Sequence, residues 1–300
     1  MSGEILAAEG YSVLMAVYAG SVPGELRSAV ESMLAQTLPT DDFVLVCDGP
    51  LTDALDVVIT SFTCQFPGLF QILRLPRHRG LVAALNAGLP LCRHELVARM
   101  DSDDISLPHR CQRQADFFAA HPELHILSGT VLEFTDHTDN ITGMRLLPSG
   151  DRNIRRFSRK RSPFNHPAVM YRKSAVAAAG GYREDHPLFE DYDLWVRMLC
   201  AGFRGENLRE PLLFMRAGPG MYRRRGGMRY ARNLLRFHRE LWRSGWSGPA
   251  DYIAGAVPHA LACVLPTELL GRVYGLLHRK AGKDTERGYP ALQPFRGIPG

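Results

Sequence analysis

The stretch Glu95-Leu96-Val97-Ala98-Arg99-Met100-Asp101-Ser102-Asp103-Asp104 governs the reading of the whole chain. Its first half is the short apolar run of a buried strand. Ile105-Ser106-Leu107-Pro108 follows, and Pro108 favours the start of a helix. Three carboxylates are therefore expected at the carboxyl end of a strand, in the loop before a helix, where open α/β sheets bind ligands. Carboxylates this close repel one another unless positive charge sits among them. A hard divalent cation, Mg²⁺ or Mn²⁺, shared between such oxygens and a phosphate-bearing ligand meets that need. An isolated Asp-x-Asp is more often a solvated turn or a helix cap; here the flanking chain argues for the cation site.

Upstream, Ser12-Val13-Leu14-Met15-Ala16-Val17-Tyr18 is continuously apolar and predicts a first, fully buried strand. Leu26, Ala29, Val30, Met33 and Leu34 recur at helical spacing. Phe43 to Cys47 predicts a second strand, Asp53 to Phe62 a helix, Gln71 to Leu75 a third strand and Leu81 to Ala87 another helix. This β-α-β-α order predicts a parallel sheet with helices on both faces. Downstream, a helix is expected over 109–120 and strands over 126–134 and 168–171. Residues 135–165, polar and punctuated by Gly and Pro, read as a long irregular connection. Glu190-Asp191 precede an apolar helical face formed by Leu194, Trp195, Met198 and Leu199. Two acids there are either a helix cap, favoured by the dipole, or functional groups. Their presence beside the Asp101–Asp104 cluster in one chain favours function. Trp195, on the apolar face, reads as core.

Apolar residues make up 45% of the chain and charged residues 22%, enough for a sizeable core. The six cysteines are scattered without Cys-x-x-Cys spacing and read as reduced core residues of a cytosolic protein. No basic region followed by an apolar core opens the chain, so no signal peptide is expected. The net charge of +5 is uneven. Residues 216–300 hold 15 Lys and Arg against 5 Asp and Glu, whereas residues 1–215 hold 21 against 26. A basic C-terminal extension on a slightly acidic body predicts contact with phosphate or an anionic membrane surface. With no nucleic-acid-reading motif in the chain, a nucleic-acid partner is not expected.

Several pieces, in order, carry a family likeness. They are Ser12 to Tyr18, Val46-Cys47-Asp48-Gly49, Gly80-Leu81 with Ala84-Leu85-Asn86-Ala87-Gly88, and Arg99 to Asp104. His166-Pro167, Gly180-Gly181-Tyr182-Arg183 and Glu190 to Trp195 complete the set. Over roughly residues 11–215 the chain resembles the bacterial family 2 glycosyltransferases of exopolysaccharide, capsule and O-antigen synthesis. The resemblance implies the GT-A nucleotide-diphospho-sugar transferase fold: an α/β domain at 1–215, with a mostly parallel sheet flanked by helices; the basic segment 216–300 beyond it reads as a helical extension. It implies a nucleotide-diphospho-sugar donor, a saccharide or lipid-linked saccharide acceptor, and Mg²⁺ or Mn²⁺. By the same likeness, Asp48 would hydrogen-bond the nucleobase, Val17 and Tyr18 would line its pocket, and Arg79 would approach base or phosphates. Asp101 would face the ribose and the metal-bound diphosphate, and Asp103 would ligate the metal. Asp191 would be the general base, with Glu190 holding the acceptor. His166 would either orient the acceptor or pack beneath the loop. Arg223, Arg224 and Arg225 would close over the diphosphate or reach lipid phosphates. Ala19 and Cys47-Asp48-Gly49-Pro50 depart from the family pattern at the nucleotide, which leaves the base open. The Gln-x-x-Arg-Trp signature of processive synthases is missing from the sequence, which favours transfer of one sugar per encounter.

Two other classes fit the sequence less well. A nucleotidyltransferase that forms NDP-sugars needs a glycine-rich, lysine-bearing loop, and Ala19-Gly20-Ser21-Val22-Pro23-Gly24 has no basic residue. A non-catalytic saccharide- or lipid-binding module would have no need of both Asp103 and Asp191. The C-terminal run 253–270, IAGAVPHALACVLPTELL, reaches the lower edge of a membrane-spanning length, but Pro258, His259, Pro266 and Glu268 interrupt it. Its basic flanks predict an apolar segment lying in the headgroup region at the inner face of the cell membrane; a packed helical hairpin is the other reading.

Overall fold

The computed structural model describes residues 10–217 and 227–264. Contacts divide the chain into two compact units, residues 1–217 and 218–300. The first unit opens with β1 (Tyr11–Val17), α1 (Pro23–Leu34), β2 (Asp42–Cys47), α2 (Asp53–Gln65), β3 (Phe70–Arg74), α3 (Leu81–Gly88) and β4 (Leu96–Asp101). It continues with β5 (Ile105–Ser106), α4 (Arg110–Ala120), β6 (Leu124–Thr135), β7 (His137–Arg145) and α5 (Asp151–Phe157). It closes with β8 (Met170–Arg172), α6 (Lys173–Ala178), α7 (Glu190–Cys200) and β9 (Arg204–Arg216).

The strands form one sheet in the order β3-β2-β1-β4-β8-β6-β9-β5, with β7 paired to β6. The four strands from β3 to β4 run parallel. Every residue of β2 is buried, as a parallel strand covered on both faces requires. The remaining strands mix orientations: β8 is antiparallel to β4 and β6, and β9 is parallel to β6. The chain leaves β1 toward β2 and β3, then returns to place β4 on the other side of β1. That reversal is a topological switch point, and the crevice beyond the ends of β1 and β4 is where a ligand fits. Gly88 lets α3 close on the sheet: a Cβ there would come within 2.6 Å of Leu14 and Val46 side-chain atoms.

Three expectations need correction. Residues 135–165 are not irregular. β6 turns back at Asp136, whose φ is 61°, into β7, and α5 follows. β7 is mostly exposed and carries polar residues, so it lacks the apolar alternation by which a strand is read. A short strand, β5, intervenes between the acidic cluster and α4, where only a loop was expected; α4 itself, Arg110–Ala120, falls within one residue of the expected 109–120. Cys47, Cys92 and Cys111 are buried, but Cys64 and Cys200 are exposed because they fall at the ends of α2 and α7, off the core-facing sides.

In the second unit, α8 (Gly227–Arg243) buries Tyr230, Ala231, Leu234, Phe237, His238 and Leu241 and packs against the helix Val257–Val264. A π turn, Tyr252–Ala256, precedes that helix, where Pro258 has no N–H to contribute. Burial, with the nearby His259, lowers the His238 pKa to about 4. The opposite side of α8 presents Arg229, Arg232, Arg236, Arg239 and Arg243, all exposed. Among the described residues, no helix is long and apolar enough to cross a membrane. The rest of the 253–270 run, from residue 265, and its basic flank at Arg272, Arg279, Lys280 and Lys283 lie outside the described residues.

Candidate active site

The carboxyl ends of β1 and β2 form one wall of the crevice. Asp48 follows β2 and is only 4% exposed. Its carboxylate accepts hydrogen bonds from the backbone N–H groups of Arg79 (2.7 Å) and Gly80 (2.8 Å), and Nδ1 of His78 lies 2.7 Å from it. Gly49, with φ of 87°, allows the return loop to come this close, since a Cβ would meet the His78 backbone nitrogen at 2.5 Å. The Tyr18 ring, 46% exposed, stacks on His78 with centroids 5.7 Å apart. Val17 is buried, and its carbonyl accepts from the Asp48 N–H. The side chain of Arg79 is exposed. Asp48 thus shapes the loop and, with three of about four acceptor positions used, keeps one for another donor.

The acidic cluster stands beside this wall, with Asp101 in register with Ala16 of β1. One oxygen of each of Asp101, Asp103 and Asp104 lies within 4.8 Å of the others. The three carboxylates differ. Asp101 is gripped on both oxygens by the guanidinium of Arg99, two residues earlier on the same face of β4. Burial, then Asp101 and Glu25, push the Asp103 carboxyl up to about 6. Asp104 is buried, and that burial, with Asp101 and Asp103, pushes it well above the ordinary carboxylate value. It accepts from the Arg216 N–H at 2.8 Å, which ties the cluster to the end of β9. Two carboxylates held above their usual pKa beside a third, in an all-oxygen set, fit a hard divalent cation, whose charge would relieve their repulsion.

A second acidic group stands at the start of α7. Glu190 and Asp191 occupy its first turn, after Leu188, whose φ is 73°. Burial and the adjacent Asp191 raise the Glu190 pKa. The helix carries no side-chain cap at Phe189. Tyr182 is buried near enough for Asp191 to act on its hydroxyl. Its backbone N–H and carbonyl are both paired with the Asn86 side chain, at 3.0 and 2.8 Å. The Gly180-Gly181 turn before it is clamped by Arg197, which donates to the carbonyls of Ala179 and Gly181. The Tyr182 hydroxyl lies 3.0 Å from His166 Nε2. Burial and the charge of Arg99 hold the His166 imidazole well below its ordinary pKa, so it is neutral at physiological pH. Trp195 is fully buried, edge-on to Phe164 and His166.

Asp101 and Asp191 both act electrostatically on Tyr182, and Arg99 on Tyr182 and Glu190. The structure therefore brings Asp101, Glu190, Asp191 and His166 around one centre, next to the wall made by Val17, Tyr18, Asp48 and Arg79. Arg223, Arg224 and Arg225 lie outside the described residues. Sequence reasoning passed over Arg99, Tyr182, Asn86 and His78 as site residues. Arg99 had a signal, a charge inside an otherwise apolar strand; Tyr182 and Asn86 stood in motifs of the family likeness, but their pairing, 96 residues apart, had none until folding joined them.

Residues 12–179 match the family described as Glycosyl transferase family 2. The amylovoran biosynthesis glycosyltransferase AmsE of Erwinia amylovora is 38% identical over 229 residues, covering 76% of this chain and 84% of the relative. The UDP-Gal:alpha-D-GlcNAc-diphosphoundecaprenol beta-1,3-galactosyltransferase of Escherichia coli is 34% identical over 270 residues, covering 90% and 97%. In structure, the chain is similar to the mannosyltransferase PcManGT of Pyrobaculum calidifontis, solved with GDP-Man and Mn2+. The TM-score is 0.63 at 17% identity, over 91% of this chain and 81% of that one, a likeness of fold. By sequence match and by its GT-A type of fold, this chain is a glycosyltransferase and belongs to glycosyl transferase family 2.

Proposed function

We propose that this chain moves one sugar per encounter from a nucleotide-diphospho-sugar to a hydroxyl of a lipid-linked saccharide in cell-surface polysaccharide synthesis. Transfer proceeds by a single displacement with inversion and requires Mg²⁺ or Mn²⁺. The observation that carries this reading is that the cation-type cluster and the Glu190-Asp191 pair act on shared residues: Arg99 grips Asp101 and acts on Glu190, and Tyr182 feels both Asp101 and Asp191. The Escherichia coli relative, which is named for a UDP-sugar donor and a diphosphoundecaprenol acceptor, supports the substrate class. The Mn2+ in the Pyrobaculum calidifontis complex supports the cation.

Asp101 and Asp103 would hold the cation, which supplies positive charge to the departing nucleoside diphosphate. Asp191 takes the proton of the acceptor hydroxyl as that oxygen bonds to the anomeric carbon; the bond from carbon to the diphosphate oxygen breaks, and its electron pair leaves with the diphosphate. Glu190, with its raised pKa, holds the acceptor. His166, neutral and bonded to Tyr182, orients the acceptor from below. On the donor side, Asp48 accepts from the base, Val17 and Tyr18 line the base pocket, and Arg79 approaches the phosphates. Residues 1–215 form the catalytic domain. The basic extension meets the inner face of the cell membrane, where the exposed arginine row of α8 would face anionic headgroups.

A screen of NDP-sugars against a synthetic saccharide-diphospholipid, with Mn²⁺ or EDTA, tests the chemistry. Transfer that depends on the cation is expected. Turnover undiminished in EDTA, or net formation of NDP-sugar, would end this reading. Flotation with anionic and neutral vesicles tests the surface. Binding should be stronger on anionic vesicles and weaken with salt. A chain that never floats removes the membrane from the account.

A further inference from the structure

We infer that Arg99 is a positioning residue that makes cation binding at the β4 end conditional on the donor's diphosphate. This rests on the function proposed above and deepens it. Arg99 is 1% exposed, on a strand that is otherwise apolar up to Asp101. The β4–β8 register ends at Ala98, and Arg99 closes it with a backbone N–H bond to the Val169 carbonyl at 3.0 Å, so its side chain leaves the sheet at the last residue paired on both sides. A second buried arginine, Arg110, braces that end of the strand by donating to the carbonyls of Arg99 and Val169. The Arg99 guanidinium spends both terminal nitrogens on Asp101, and its Nε is buried with no hydrogen-bond partner.

This geometry has two consequences. A forked, bidentate grip fixes the Asp101 carboxylate in one orientation, which a lysine point charge cannot reproduce. The fixed positive charge also offsets one of the three carboxylates. A divalent cation arriving alone meets a site weakened by Arg99, and a diphosphate arriving with it restores the balance. Loading of cation and donor is then coupled in one binding event.

The test uses the full chain and two readouts. Mn²⁺ alone is titrated by electron paramagnetic resonance, and kcat and KM are measured with the NDP-sugar that the screen above selects. Arg99→Met keeps the side-chain volume and removes the charge. It should bind Mn²⁺ alone roughly fivefold tighter or more, because a like charge has left the site. Its kcat should fall about 100-fold, the scale on which ligand-orienting partners act. Arg99→Lys should return Mn²⁺ affinity to within about twofold of the unsubstituted chain yet stay about tenfold low in kcat, since charge is restored and the fork is not. A purely structural role would weaken Mn²⁺ binding and turnover together. Arg99→Met with unchanged or weaker Mn²⁺ binding, or with kcat retained, overturns the inference. If Arg99→Met does not fold by circular dichroism, Arg99→Lys decides alone: full kcat overturns the inference, and a loss of kcat at unchanged Mn²⁺ affinity supports it. An unsubstituted chain that turns over without any cation defeats the function reading instead, and is told apart by that control.

Discussion

The two ends of the parallel sheet use the same residue type in opposite ways. At the amino end of β2, Asp42 is fully buried. It accepts from Ser12 Oγ at 2.6 Å, Gln71 Nε2 at 2.6 Å and the Arg93 N–H at 2.7 Å, with Arg93 Nε at 3.1 Å. Burial alone would raise its pKa, but these donors outweigh burial and hold the carboxyl below its usual value. At the carboxyl end of β4, Asp104 is buried and Asp103 keeps an exposed side chain in a crowded turn; both have like charges around them and are pushed up. One end is satisfied and ties the starts of three strands together. The other keeps unrelieved charge where a ligand enters. Stability and binding are therefore separable along the same strands.

The largest effect should come from the charged end. Asp103→Ala is expected to lower transfer on the order of 10³-fold or more, since a cation contributes several kcal/mol to the departing charge. Its melting temperature without cation should not fall at neutral pH. A carboxyl raised to about 6 adds stability below its unfolded pKa and loses it as pH rises through 6, so deleting it relieves strain above that pH. A melting temperature that drops together with activity would break the contrast. Next, Asp191→Asn keeps the side-chain size but cannot take the proton. A loss of about 10²–10⁴-fold in kcat with donor and Mn²⁺ binding intact is expected. A loss confined to donor KM would move Asp191 to the donor side.

The satisfied end predicts the reverse pattern. Asp42→Ala strands three buried or half-buried donors and should cost on the order of 3 kcal/mol, measured by urea unfolding, while activity per folded molecule stays within about twofold. Because the Asp42 pKa is lowered, its contribution is present above the unfolded pKa and lost as pH falls through the folded value. The acid limb of the stability curve should therefore be shallower in Asp42→Asn. The smallest effect sharpens the same point. Ser12→Ala removes one of the donors and should cost about 1 kcal/mol. Ser102→Ala, whose hydroxyl makes one 3.5 Å contact with Ser21, should cost within about 0.5 kcal/mol. Equal costs at the two positions would erase the distinction between the ends.

The buried strands β1, β2 and β4 and the helices α1 and α3 were legible in the chain, because continuous apolar runs and helical spacing are local properties. β7 was not, since an exposed edge strand leaves no apolar pattern, and β9 drew no expectation at all. Among site residues, the acids stood out by clustering: Asp101 and Asp103 with Asp104, and Glu190 with Asp191. Trp195 was read as core and is fully buried. Arg99 was visible only as an oddity, because alternation in a strand buried on both faces does not say which face leads to a ligand.

By itself, then, the sequence determined that acids end a buried strand, that helices and strands alternate around it, and that the family's motifs occur in order. Only the tertiary structure decided what each acid meets. Asp42 and Asp103 have similar neighbours in sequence terms, each beside another Asp, yet one gathers donors from β1, β3 and the turn before β4 while the other gathers like charge. The physical reason is that a carboxylate's energy depends on desolvation and on charges within a few ångströms. Those partners lie 29 to 51 residues from Asp42, brought close by the pairing of parallel strands.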